Sequence, residues 1–149
     1  MTKGMKCTFI IISINLLIAG IICIVMFGAK SLIDFFYYLP LNLGIGIIGL
    51  YFSGYFVAKK MEVLLNKNSK NAILIGVLGL IVILIMGTFF GSTVGFLQEG
   101  IVNLNENNKF KDAIFDYYFK PFFWIFFFGI IPTILAGGIL GILLKKNKL

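Results

Sequence analysis

Side chains able to take part in chemistry are few in this chain, and they are scattered. Five of its six carboxylates, Asp34, Glu99, Glu106, Asp112 and Asp116, fall in two polar stretches between apolar runs. Brought together, such groups could do acid–base work or hold a hard cation with oxygen ligands. Nothing in their spacing imposes that meeting, so they read as solvated loop residues. No catalytic set, metal site or cofactor site is expected. All thirteen basic residues are lysine, and there is no histidine. Imidazole is thereby removed as base, proton shuttle or metal ligand. Bidentate guanidinium recognition of phosphate or carboxylate is removed with it.

Inside the apolar runs the polar side chains are uncharged. Asn15 is the most polar, with Ser13 nearby, and it shares a helical face with Ala19 and Cys23 at i, i+4, i+8. A hydrogen bond from Asn15 to another helix would contribute about 0.6 kcal/mol, at most about 2. Its expected role is to fix helix register. The competing role is a polar point in a conduction or substrate path, shared with Thr88, Ser92 and Thr93 in the third apolar run. Packing is the simpler expectation for those hydroxyls. The middle of every run lacks the charged residue that marks ion- or proton-coupled transporters. Cys7 and Cys23 are 16 residues apart on one predicted helix, about 24 Å, and cannot form a disulfide with each other.

These residues must be positioned by elements that live in lipid. The 149-residue chain is 60% hydrophobic and 13% charged, with a mean hydropathy of +1.03. Soluble domains average about 45–50% apolar and about 25% charged residues, and a domain this small cannot bury so much apolar surface. The expected fold is an all-α integral membrane protein, one domain over residues 1–149, with four transmembrane helices. About 20 residues cross the hydrocarbon layer, which places spans at about 7–28, 41–58, 71–91 and 121–144. The first run is too long for a signal-peptide core of about 7–15 residues. Gly20-Ile21-Ile22-Cys23 also lacks the small residue a lipoprotein box needs before its cysteine.

Lysine counting sets the expected orientation. With both termini inside, nine lysines fall on inner segments, including Lys59, Lys60, Lys67 and Lys70 of loop 59–70, against four outside. That satisfies the positive-inside rule, with the termini cytoplasmic and the plasma membrane as the expected location. The net charge of +7 then suits an anionic inner leaflet rather than nucleic acid. The outer connections are 29–40 and 98–120. In the first, Ser31 and Asp34 have capping-box spacing, and Phe35 to Tyr38 form an interfacial aromatic cluster. In the second, Glu99–Lys109 reads as a loop and Lys109–Lys120 as a short amphipathic helix lying at the interface. The segment from Met61 to Leu65 keeps helical spacing, so the second helix is expected to run on along the inner surface. Asp34–Pro40 and Asp116–Pro121 resemble each other, but aromatics and a proline suit any helix entering from outside, and duplication is not needed.

Small residues supply the clearest positive pattern. Gly129, Thr133, Gly137 and Gly141 recur every four residues, as do Gly87, Gly91 and Gly95, and Gly49 with Ser53. Such faces let helix backbones approach closely in lipid. Pro132 lies inside the last span and should kink it. The Gly129–Gly141 groove is expected to meet a second copy, giving a homo-oligomer; the other expected partner is a different membrane protein. The leading function is therefore non-enzymatic, acting by helix–helix association as an accessory subunit, assembly factor or immunity-type protein. A homo-oligomeric channel or permease comes second and a membrane-embedded enzyme third.

Overall fold

The computed structural model describes residues 2–67, 71–101 and 110–146. Among these, 98% are helical and none forms a strand. Four of the helices are long and apolar enough to cross a membrane. Helices satisfy every backbone group internally, which is what an apolar solvent demands.

Helix α1 spans Lys3–Phe27. Thr2 caps it, its hydroxyl accepting from the Met5 N–H at 3.2 Å. Gly28 ends it with φ of +85°, donating its N–H to the Ile24 carbonyl at 2.9 Å, a backbone state that glycine adopts without strain. Helix α2 (Ala29–Tyr38) follows directly. The Ser31 hydroxyl donates to the Phe27 carbonyl at 2.7 Å, so it satisfies the preceding helix instead of forming a capping box with Asp34.

Helix α3 begins at Pro40, whose missing N–H costs nothing in a first turn, and runs without a break to Lys67. The segment expected as inner loop 59–70 is thus helical as far as Lys67. It does not lie along a surface. Met61 and Leu65, one turn apart, are each 1% exposed, and Met61 fills the space left by Gly79 of the next helix. One face of this extension is core.

Helix α4 (Ala72–Gly95) follows Asn71, which makes no side-chain cap. It continues through a π-helical turn, Phe96–Gly100, to Ile101. The returning chain is helical from Phe110 to Lys146: α5 (Phe110–Ile114), a second π turn (Phe115–Phe119) and α6 (Lys120–Lys146). The short interfacial helix expected at Lys109–Lys120 is therefore the first part of the last long helix. Pro121 ought to have separated them. The π turn explains the continuity, because it moves the ladder to an i→i−5 bond from the Lys120 N–H to the Phe115 carbonyl. The proline, which donates nothing, enters where the helix is already widened.

Beyond α4 and before α6 these segments make an antiparallel hairpin held by rings. Phe96 packs edge-on against Phe110 and Tyr117 and tilted against Tyr118. At the opposite end of the bundle lie Lys59, Lys60, Lys145 and Lys146 with the start of α1.

Helix α4 is the hub, and glycine decides how close its neighbours come. Towards the hairpin, Gly46 of α3 faces Gly87 and Gly91 of α4. Towards the lysine end, Gly76 of α4 faces Gly137 and Gly141 of α6; a Cβ on Gly137 would lie 2.6 Å from the Cα of Val77. The groove expected to receive a second copy is filled by α4 of the same chain. Helix α1 leans on the outside of this three-helix core: 11% of its 18-residue apolar stretch is buried, against 33% for α4.

Candidate functional site

Two polar residues of α1, Asn15 and Ser13, act as ties between helices. Asn15 donates from Nδ2 to Thr133 Oγ1 at 2.9 Å, joining α1 to α6 beside the buried Pro132. Helix α6 is continuous through that proline. The Asn15 carbonyl oxygen Oδ1 is buried and accepts no hydrogen bond. Two residues before Asn15, Ser13 shares a 2.6 Å hydrogen bond with the Tyr51 hydroxyl and also donates to the Phe9 carbonyl at 3.0 Å. This ties α1 to α3.

The remaining path residues are not brought to Asn15. Thr88 donates to the Leu84 carbonyl at 2.9 Å and Thr93 to the Phe89 carbonyl at 2.8 Å, the back-bonding common for hydroxyls inside helices. Ser92 is buried on the same helix. Thr93 also accepts from the Tyr118 hydroxyl at 3.2 Å, linking α4 to the returning helical arm of the hairpin.

The small-residue faces lie as follows. Gly49 meets the Phe90 ring, Gly87 the Leu50 side chain, Gly91 the Asn42 carbonyl, and Gly95 the Asn42 side chain and Tyr117. Ser53 is buried and donates to the Gly49 carbonyl at 2.7 Å. Gly129 stands near Leu84, a looser approach than Gly137 and Gly141 make. Asn42 carries a second buried, unbonded amide oxygen.

Two of the described outer carboxylates have partners of their own. Glu99 accepts from the Tyr117 hydroxyl at 3.2 Å, and Asp116 pairs with Lys120 at 2.6 Å, one turn on. Both members of that pair are more than half exposed, so the bridge contributes little. Glu106 lies outside the described residues. Among the described residues no three His, Cys, Asp or Glu side chains form a cluster, and no disulfide joins Cys7 and Cys23.

Sequence reasoning passed over Glu62. Its carboxylate accepts from the Thr2 hydroxyl at 2.7 Å and lies over Gly4, where any side chain would overlap it. An anion at a helix N-terminus contributes about 0.3–1 kcal/mol. Gly4→Ala is expected to displace Glu62 and remove a stabilisation of about that size. Denaturation by sodium dodecyl sulfate in mixed micelles measures it, and Glu62→Gln should reproduce the loss. Gly4 was visible in the sequence as a small residue near a charged terminus, but its partner is 58 positions away and no local pattern points to it.

Compared with protein-family models, with curated proteins and with solved structures, the chain matches none. The class that its own residues define is a helical bundle with four helices long and apolar enough to span a membrane.

Proposed function

We propose that this is a non-enzymatic multi-pass membrane protein that works by associating with another membrane protein, as an accessory subunit, assembly factor or immunity-type protein. One observation carries the proposal. Ile10, Ile14, Leu17, Ile21 and Val25 recur at helical spacing along α1 and are all exposed, Val25 to 76%. This stripe of large aliphatic side chains has the width and regularity that a partner helix interdigitates with. The glycine seams, by contrast, are already occupied within the chain. A photo-crosslinking residue at Leu17 or Ile21 should yield one discrete heteromeric adduct in native membranes, whereas one at Ile139 of α6 should not. A ladder of adducts equal at all three positions would sink the proposal, and an adduct of two copies would move it to self-association.

The second reading is a homo-oligomeric pore or permease. It draws on the unbonded Asn15 oxygen, since a buried unpaired amide group is costly and a permeant could satisfy it. Liposome flux separates the two: specific conduction by the purified protein that vanishes in Asn15→Leu would favour the pore.

The proposed orientation puts both termini in the cytoplasm and the hairpin outside the plasma membrane, on the lysine asymmetry. Gln98→Cys should then react with an impermeant thiol reagent on intact cells, and Lys60→Cys only after permeabilisation. The reverse pattern would invert the protein.

A further inference from the structure

Where α1 meets α6, two strong hydrogen-bond acceptors lie close together and lack the donors they would normally have. The first is Asn15 Oδ1, which is buried and unbonded although the same amide donates from Nδ2 to Thr133 at 2.9 Å. The second is the Phe128 carbonyl. In a continuous α-helix it takes its hydrogen bond from the residue four ahead. That residue is Pro132, which has no N–H, and α6 runs on through it. A buried acceptor left without a donor costs its full desolvation.

Both acceptors belong to the faces by which the two helices touch. Phe128 and Pro132, one turn apart on α6, each border α1. The Phe128 ring meets Phe27 edge-on at 5.9 Å, and Pro132 lines one groove with Ile22. Ile22 and Asn15 are two turns apart on the same side of α1, and Asn15 is tied to the residue next to Pro132. A helical carbonyl points toward the residue four ahead. That of Phe128 therefore points at the turn that Asn15 touches.

We infer that one water molecule is bound here, donating one proton to Asn15 Oδ1 and the other to the Phe128 carbonyl. Chemistry selects the ligand. Neither group donates, so the occupant must supply two protons from one small atom. Water does this, and buried waters characteristically serve two to four polar groups. Ordered water is also one of the ways a membrane helix satisfies a carbonyl that a proline has freed. A hard cation would take about six to eight oxygens, and this contact offers three, counting Thr133 Oγ1. The one dry alternative is the amide turned over, with Oδ1 accepting from Thr133 and Nδ2 aimed at the Phe128 carbonyl. The inference is independent of the partner α1 meets, and it satisfies the Asn15 oxygen without a permeant.

Water-edited solid-state NMR tests it, on the full chain labelled with 13C and 15N in vesicles of phosphatidylglycerol and phosphatidylethanolamine. Magnetisation from water protons is expected at the Asn15 side-chain amide and at the Phe128 carbonyl carbon. The backbone amides of Leu16 and Ile134 should stay dry. Asn15→Leu removes the side-chain signal and so confirms its assignment. Pro132→Ala returns the N–H that Phe128 lacks, and the transfer at Asn15 should fall to the level of Leu16. A dry Asn15 amide or a dry Phe128 carbonyl in the wild type overturns the bridge, the first being the result expected of a turned-over amide. Transfer that reaches Leu16 and Ile134 equally also overturns it, because it marks a wetted path instead of one molecule. Transfer unchanged in Pro132→Ala removes Phe128 as the second acceptor, with the same consequence. The wild-type signals decide the matter even if that variant fails to insert, which vesicle flotation reads separately.

Discussion

Gly137→Ala is expected to lower the stability of the bundle by about 1–3 kcal/mol, the cost of forcing extra atoms into a packed interior. Alanine ordinarily favours a helix over glycine by about 1 kcal/mol, so the sign itself is informative. The added methyl would meet backbone, with Val77 Cα at 2.6 Å and the Gly76 carbonyl oxygen at 3.0 Å. Backbone cannot rotate away as a side chain can, and α4 and α6 must separate along the whole seam. Gly137→Leu should prevent accumulation of the folded protein. Across an interface between two copies the same change would have given a folded monomer, so the two outcomes distinguish the places this groove could be used. Gly20→Ala and Gly44→Ala are the controls, because nothing stands within 4 Å of either added methyl. They should be neutral or stabilising, by up to about 1 kcal/mol. Denaturation in mixed micelles reads the three alanine variants, and the yield of folded protein reads Gly137→Leu.

Met61→Ala should cost about 2–5 kcal/mol, the range for emptying a buried site of that size. Met61 is 1% exposed and reaches into the notch at Gly79, with Leu65 one turn further on. Val63→Ala and Leu64→Ala, on the exposed side of the same stretch, should change stability little. A helix lying on the membrane surface would give the three substitutions similar, small effects. Equal losses at Met61 and Leu64 would mean that the end of α3 does not belong to the core.

Four long helices were legible because length and hydropathy alone demand them. Where each one ends was not. Pro40 starts α3 as its missing N–H suggests, yet Pro121 starts nothing, because a π turn precedes it and no local pattern announces that turn. Small-residue periodicity marked Gly137 and Gly141 as a packing face, but a face does not carry the address of its partner. Val77 and Ala72 look like any other lipid-facing residues until α4 is placed. Asn15 was legible as a tie because an amide in an apolar run needs a mate. Its mate Thr133 reads in the sequence only as one of the small residues on the packing face of the last helix. Surface and core also look alike in such a chain, since lipid and protein interior favour the same side chains. Met61 and Leu64 were for that reason indistinguishable in advance.

The bond between Asn15 and Thr133 joins positions 118 apart. During synthesis α1 therefore enters the membrane long before α6 exists, and its amide waits without its mate. α1 must be held there by its own hydropathy, as a span that inserts alone and docks later. Helices α3 and α4 follow one another and can close their seam at once, whereas α4 and α6 meet only when the last helix arrives. Completion of α6 closes the seam with α4 and adds the second tie on α1, so a chain cut short before Thr133 would leave a paired α3 and α4 with the first helix held by its contacts with α3 alone.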